Sequence, residues 1–159
     1  KRQSALHPNP FIAGQNLISR DVKADGSKQV TRLNNDFVMH KIVKNEFLEL
    51  EGLKFDETEI SQNSVSLMED LVLMLKDNPE LNIEFAVHTS SKGDDASNMT
   101  RSGKRAGYIE NFMLRKGIES NRIKAEGYGE TNLLNDCDDN ADCSDKEHAV
   151  NERVEVKVF

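Results

Sequence analysis

The residues best suited to chemistry lie in one polar stretch of the chain, from His88 to Ala106. Within this stretch, Ser90 precedes Arg105 by 15 residues. An arginine presents a rigid fork of N–H donors that holds a carboxylate through two hydrogen bonds, which a lysine cannot reproduce. His88 and Ser90 also suggest a hydrolytic triad, but the sequence contains no nucleophile elbow of the form G-x-S-x-G. Recognition of an anion is therefore favoured over catalysis.

Patterns before this stretch predict alternating strands and helices, as in an α/β sandwich. Alternating apolar residues over 48–55 predict a first strand, in which Gly52 marks a bulge. Apolar residues at helical spacing over 68–75 predict an amphipathic helix that ends at Asn78-Pro79. Alternation over 81–88 predicts a second strand with one buried face. The polar stretch thus begins where a strand ends.

A second helix and two further strands are predicted after that point. The apolar residues Ala106, Ile109 and Met113 fall on one helical face, and Gly117 is positioned to end the helix. Residues 123–130 predict a third strand and a turn. Alternating valines over 154–158 predict the strand that closes the sheet.

Charge divides the chain into two parts. Residues 1–45 carry 8 Lys and Arg against 3 Asp and Glu, whereas residues 46–159 carry 13 against 25. The acidic second part argues against nucleic-acid binding, which requires a basic face. With 159 residues in all, the chain predicts one domain, residues 46–159, preceded by an appendage, residues 1–45.

We interpret residues 1–45 as a linker, or as the tail of a preceding domain with a hairpin around Asp25-Gly26, between residues 18–22 and 30–33. We expect no membrane span, because no run of about 18 apolar residues occurs. Lys1-Arg2-Gln3 leads into no apolar region typical of a signal peptide. The chain is consistent with a piece excised from a longer protein.

Cys137 and Cys143 flank an acidic loop and have no other cysteine partner in the chain. They predict a local disulfide in an oxidising compartment; a zinc site is the alternative, for which only His148 lies near. The loop also places oxygen-bearing side chains at the ligand positions of an EF-hand: Asp136, Asp138, Asn140, Asp142, Ser144 and Glu147. Ala141 stands where an EF-hand requires glycine, so a solvated acidic loop without a metal is favoured over a calcium site.

Five elements of the second part occur in the order found in the OmpA-like peptidoglycan-binding domain family. They are Phe55-Asp56, the stretch from His88 to Ala106, Lys116-Gly117-Ile118, Gly127-Tyr128-Gly129-Glu130, and Asn151-Glu152-Arg153-Val154-Glu155. The family pattern H-T-D-x-x-G, followed by N-x-x-L-S-x-x-R-A, is matched with Ser90 at the Asp and Arg101 at the Leu. Residues 46–159 therefore resemble this domain, and the acidic loop resembles an insert of some outer-membrane members.

The resemblance implies a two-layer α/β sandwich of βαβαβ-αβ order, whose mixed sheet carries its helices on one face. It also implies a noncovalent peptidoglycan-binding module, without enzymatic activity or cofactor, on the periplasmic face of the outer membrane. Similar domains end outer-membrane lipoproteins, some linked to gliding and type IX secretion. Other envelope or secretion-system proteins are therefore candidate partners.

In that family, a loop aspartate takes the ammonium of the diaminopimelate in a peptidoglycan stem peptide, and a helix arginine takes its carboxylate. Arg105 matches this arginine, and Ser90 stands at the aspartate. The resemblance extends the ligand site to six further residues: Phe55, Asp56, Thr89, Asn98, Glu152 and Arg153. Asn98 is equally well explained as a helix cap, and Thr89 as a residue that holds the loop through hydroxyl bonds.

Ser90 and Glu152 depart from the family pattern. A hydroxyl cannot supply the charge that an ammonium requires in a partly dry groove, and Glu152 stands where the family has an arginine. Binding then requires a shifted pose, another stereoisomer, or contact through Arg105 and backbone amides alone. A carboxylate supplied by Glu152 from the other side of the groove is a further alternative. The alternative function is a degenerate domain that serves as a protein-interaction scaffold without a ligand.

Overall fold

The computed structural model describes residues 47–159 and two short strands that precede them. In chain order, the elements are β1 (Lys28–Gln29), β2 (Lys41–Ile42), β3 (Phe47–Glu49), β4 (Phe55–Asp56), β5 (Glu59–Ile60), α1 (Val65–Asp77), β6 (Ile83–His88), α2 (Asp95–Arg115), β7 (Ile123–Gly129), α3 (Asp145–Ala149) and β8 (Val154–Val158). β1 and β2 pair antiparallel. The hairpin predicted between residues 18–22 and 30–33 lies outside the described residues. No helix in the described part of the chain is long and apolar enough to cross a membrane.

Four of these strands form one mixed sheet in the order β3-β8-β6-β7. β6 and β7 run parallel, whereas β8 runs antiparallel to both β6 and β3. A parallel pair requires a crossover connection, and α2 provides it. The predicted α/β fold with a mixed sheet is therefore confirmed.

The core forms where the apolar stripes of the two long helices meet the sheet. Met68 and Leu75 of α1 are fully buried, as are Ile109 and Met113 of α2, and all four belong to one cluster with Phe85 of β6. The helical spacing predicted for both segments is thus confirmed. Full burial of a large apolar side chain contributes about 1.5–3 kcal/mol, so this cluster holds α2 firmly on the sheet.

The first predicted strand is wrong in its extent. β3 ends at Glu49, and Gly52 lies in a turn with φ +86° and not in a bulge. Ser64 holds this turn, because its hydroxyl donates to the Gly52 carbonyl at 3.1 Å and accepts the Lys54 N–H at 2.9 Å. The chain then forms a separate hairpin, β4–β5, which carries Phe55. One run of alternating apolar residues therefore spans two elements.

The prediction that β6 buries one face is also wrong, because every residue of β6 is buried. β6 is a central strand, between β8 and β7. The ammonium groups of Lys157 and Lys124 lie 2.5 Å and 2.9 Å from the carboxylate of Glu84 and cover it. Burial would raise the pKa of Glu84, but hydrogen bonds from the two lysines hold that pKa below its ordinary value. Long side chains of neighbouring strands thus cover polar positions that the sequence pattern places in solvent.

The backbones of α2 and β7 are in direct contact. A Cβ on Gly127 would lie 2.2 Å from the Gly103 nitrogen and 2.4 Å from the Ser102 carbonyl carbon. The Ser102 hydroxyl also accepts the Gly129 N–H at 2.8 Å. Glycine permits this approach because it has no Cβ. The contact sets the position of Arg105, which lies two residues after Gly103 on the same helix.

We expect Gly127→Ala to destabilise the protein by about 3 kcal/mol, because its methyl group would collide with backbone atoms of α2 that cannot rotate away. Gly107→Ala is the matched control: the same change within α2 meets no atom within 4 Å. It should stabilise the protein by about 0.5–1 kcal/mol through helix propensity. Urea unfolding of both variants measures the two effects, and equal stability of the variants would contradict the close contact.

Candidate ligand-binding site

A cavity of about 140 Å³ lies between the β4–β5 hairpin, α2 and the segment that joins α3 to β8. Its lining includes two residues with aromatic rings, Phe55 and His88, and four charged residues: Lys54, Arg105, Glu152 and Arg153. Among the described residues that line it, Glu152 carries the one carboxylate. The cavity thus combines an aromatic surface with charges of both signs.

Arg105 is held tightly at this cavity. The residue is 8% exposed, and its guanidinium lies 5.0 Å from the centre of the Phe55 ring. Its Nε–H donates to the Glu57 carbonyl at 2.7 Å, and its Nη1 lies 3.5 Å from a Glu152 carboxylate oxygen. Burial lowers the pKa of Arg105 and Glu152 opposes this, but an arginine remains charged in a protein. A fixed, partly dehydrated cation binds a carboxylate more strongly than a solvated cation does.

The carbonyl that holds Arg105 belongs to a strained residue. Glu57 joins β4 to β5 and has φ +58°, a conformation that non-glycine residues rarely adopt. Such a conformation costs on the order of 1 kcal/mol and persists where the surrounding contacts enforce it. Sequence reasoning missed Glu57, because a glutamate gives no local signal for positive φ.

The residues on either side of Glu152 make structural contacts. Asn151 is fully buried, and its side-chain amide donates to Asn135 at 2.8 Å. Arg153 is also buried and donates to the Glu155 carboxylate at 2.7 Å. The Glu152 side chain, by contrast, is 39% exposed and lines the cavity. It is therefore the member of this segment with a charge available to a ligand.

The structure brings half of the predicted ligand-site residues together at the cavity: Phe55, Arg105, Glu152 and Arg153. Asp56 follows Phe55 on the hairpin and is exposed. Thr89, Ser90 and Asn98 are buried and do not line the cavity. Ser90 is only 2% exposed, so the position that matches the loop aspartate is enclosed by protein. Ligand contact by any of the eight predicted residues stays a prediction.

The alternative of Asn98 as a helix cap is wrong. Asp94 is the N-cap of α2, and its carboxylate accepts the Ser97 N–H at 2.9 Å. Asn98 lies inside the helix, where its side chain donates to Glu130 and accepts from Arg101. The aspartate four residues earlier caps the helix because the chain enters α2 in an extended conformation at that point.

The loop after β6 is held by backbone bonds and by Ser91, and not by the Thr89 hydroxyl as predicted. The Thr89 N–H donates to the Gly129 carbonyl at 2.8 Å, whereas its hydroxyl is buried and has no hydrogen-bond partner in the described part of the chain. The Ser91 hydroxyl donates to the Cys137 carbonyl at 2.6 Å. The acidic loop therefore supports the loop that follows β6.

The predicted disulfide is present between Cys137 and Cys143, which excludes the zinc alternative because both sulfurs are bonded. The EF-hand alternative is disfavoured for a local reason. Ser144 and Glu147 form the capping box of α3, in which the Glu147 carboxylate accepts the Ser144 N–H at 2.8 Å. Two of the six EF-hand ligand positions thus serve a helix terminus.

Three carboxylates from different segments converge near the start of α2: Asp95, Glu130 and Asp139, with one oxygen of each within 4.8 Å of the others. Within residues 47–159, this is the acidic group whose spacing could hold a cation. Burial raises the pKa of Glu130, a hydrogen bond from Asn98 lowers it, and the charges of Asp139 and Asp95 raise it again. The cluster shares no residue with the lining of the Arg105 cavity.

His88 is buried at the end of β6 and stacks on Tyr128, with the ring centres 5.4 Å apart. Its Nε2 lies 3.6 Å from a Glu155 carboxylate oxygen, and neither ring nitrogen has a hydrogen-bond partner among the described residues. Burial lowers the pKa of His88, the charge of Arg153 lowers it further, and Glu155 opposes both. The native state therefore favours the neutral imidazole.

We expect His88 to make the protein less stable as the pH falls. Because its native pKa lies below its ordinary value of 6.5, the unfolded chain takes up the proton first. This stability is present above about pH 6.5 and is lost as the pH falls toward the native pKa. His88→Gln should remove the effect, which is at most about 1.4 kcal/mol per pH unit. Urea unfolding of both proteins from about pH 8 to about pH 5 measures it, and parallel stability curves would contradict it.

The sequence profile of the OmpA family matches residues 54–146, which is more than half of the chain. The chain therefore belongs to the OmpA family. Outer membrane porin F of Pseudomonas fluorescens is 34% identical over 104 residues, covering 65% of this chain and 30% of that protein. Outer membrane porin F of Pseudomonas aeruginosa is 32% identical over 105 residues, covering 65% of this chain and 29% of that protein. The chain thus spans less than a third of the length of these relatives.

Solved structures with the same fold include those of three further proteins. The peptidoglycan-associated lipoprotein of Burkholderia pseudomallei has a TM-score of 0.58 at 17% identity, covering 73% of this chain and 91% of its own. The cell wall anchor of the T6SS of Pseudomonas aeruginosa has a TM-score of 0.57 at 19% identity, with coverage of 71% and 78%. The periplasmic domain of Helicobacter pylori MotB has a TM-score of 0.58 at 17% identity, with coverage of 83% and 86%. These similarities establish the fold.

Proposed function

We propose that this chain is a noncovalent peptidoglycan-binding module that recognises the diaminopimelate of a stem peptide and anchors an outer-membrane or periplasmic complex to the cell wall. The observation that carries the proposal is the Arg105 guanidinium, buried at the edge of a cavity and oriented by Phe55 and the Glu57 carbonyl. Two structures of the same fold are named as a peptidoglycan-associated lipoprotein and a cell wall anchor, which supports the proposal.

The geometry around Arg105 suits a carboxylate ligand. An arginine has five N–H donors, and the Glu57 carbonyl takes only the one on Nε. The donors on the two terminal nitrogens can then form a bidentate pair with a carboxylate. Because the side chain is already ordered, little conformational entropy remains to be lost when a ligand binds.

We place the module in the cell envelope and assign it no catalytic role. The named relatives are outer membrane porins, and a disulfide such as that between Cys137 and Cys143 persists in an oxidising compartment. Ser91, whose hydroxyl lies 3.5 Å from a ring nitrogen of His148, is buried and donates to the Cys137 carbonyl. This pair therefore serves the structure and does not form an accessible nucleophile.

One observation favours the alternative of a protein-interaction scaffold without a ligand. Ser90 brings no carboxylate to the site and is enclosed by protein. A ligand ammonium thus finds no ionic partner at position 90. Retention on the cell wall distinguishes the two functions.

We expect Arg105→Ala to weaken retention on purified sacculi by about tenfold to a hundredfold, the value of a charged hydrogen bond, while the fold persists. Arg105→Lys should recover only part of the binding, because an ammonium lacks the bidentate fork. Arg115→Ala is the matched control, since Arg115 is exposed on the same helix and lies over Tyr108, away from the cavity. A sacculus pulldown with circular dichroism on each variant measures these effects. Equal retention of Arg105→Ala and Arg115→Ala would support the scaffold.

A further inference from the structure

The Arg105 cavity contains an opposite-charge pair that a ligand can separate. The Glu152 carboxylate lies 3.5 Å from Arg105 Nη1, beyond the usual N–H···O hydrogen-bond range of about 2.7–3.2 Å. More than a third of the Glu152 side chain is exposed, so its carboxylate stays partly hydrated and within reach of a ligand. The Nε–H of Arg105, by contrast, makes a close bond to the Glu57 carbonyl. A ligand can therefore enter between the two charges without displacing Arg105 from its support.

Glu152 is the anionic acceptor that this cavity offers to a cation, since His88, which also lines it, favours the neutral imidazole. Among the described residues that line the cavity, it carries the one carboxylate. Ser90 and Thr89, in the loop after β6, are neutral and buried. The charge of Arg153 is already paired with Glu155. An ammonium that enters the cavity is therefore directed to Glu152.

The two charges together favour one kind of ligand. A carboxylate alone pairs with Arg105 but is repelled by Glu152, and an ammonium alone is repelled by Arg105. A free amino-acid centre, in which one carbon bears both an ammonium and a carboxylate, can pair its carboxylate with the Arg105 guanidinium and its ammonium with the Glu152 carboxylate. Its carbon chain can then lie against Phe55, which lines the same cavity.

We infer that Glu152 receives the ammonium of the ligand and that the Arg105–Glu152 pair selects a free amino-acid centre over groups that carry either charge alone. The inference rests on the proposed function, because the diaminopimelate of a stem peptide supplies such a centre. It makes Glu152 the residue that determines the specificity of the site.

Three synthetic stem tripeptides that differ only in the third residue test this selection by calorimetry. At the end of its side chain, diaminopimelate presents both an ammonium and a carboxylate, 2-aminopimelate presents the carboxylate alone, and lysine presents the ammonium alone. The wild type should bind the diaminopimelate peptide at least about tenfold more tightly than either analogue. Glu152→Gln should lose about tenfold in affinity for the diaminopimelate peptide and bind it no better than the 2-aminopimelate peptide.

Glu51→Gln is the matched control. It makes the same change of charge at an exposed residue in the turn after β3, which does not line the cavity. It should keep the three wild-type affinities. An equal loss of affinity in Glu51→Gln and Glu152→Gln would overturn the inference, because net charge alone would then explain the effect.

The outcomes separate this inference from the proposed function. If Glu152→Gln binds the diaminopimelate peptide as tightly as the wild type does, the inference fails and the proposed function stands. If the wild type binds none of the peptides, the inference fails, and the proposed function then stands only if sacculi still retain the protein. The wild-type ranking of the peptides depends on no variant, so equal affinity for all three would overturn the selection even if Glu152→Gln did not fold.

Discussion

The backbone contact between α2 and β7 is the constraint on which the rest of the site depends. The helix can touch the strand because Gly127 presents no Cβ to Gly103 and Ser102. Any side chain at that point would push α2 away from the sheet. Arg105, two residues after Gly103 on the helix, would then move away from the Glu57 carbonyl that orients it. The chemistry of the cavity therefore depends on the absence of a methyl group in a neighbouring element.

The polar groups that contact the Arg105 side chain, and Arg105 itself, come from three segments of the chain. The β4–β5 hairpin supplies the Glu57 carbonyl, α2 supplies Arg105, and the segment before β8 supplies Glu152. A buried charge is tolerated only when nearby groups offset its loss of water. For Arg105, the Glu57 carbonyl oxygen and a Glu152 carboxylate oxygen do this, but not equally. The carbonyl is close and fixed, whereas the carboxylate is more distant and partly exposed. The first orients the guanidinium, and the second is the contact that a ligand can replace.

The acidic loop closed by Cys137 and Cys143 does not line the cavity but hydrogen-bonds to segments next to it. Its backbone accepts a hydrogen bond from Ser91, in the loop after β6. Asn135, just before the disulfide, accepts a hydrogen bond from Asn151, the residue before Glu152. A short cross-link restricts the conformations of such a loop, which otherwise has few apolar residues to hold it. The insert therefore helps to fix the segment that carries the acidic side of the cavity.

The sequence by itself determined the elements whose signal is local. Apolar spacing predicted α1, α2 and β8, because the periods of helix and strand repeat within a few neighbours, and the order of motifs singled out Arg105. The spacing of two cysteines predicted the disulfide. Only the tertiary structure decided that the first strand turns at Gly52, that both faces of β6 are covered, and that Glu152 meets Arg105. These features depend on residues far apart in the chain, as with Arg105 and Glu57 at a separation of 48, and no local pattern specifies such partners.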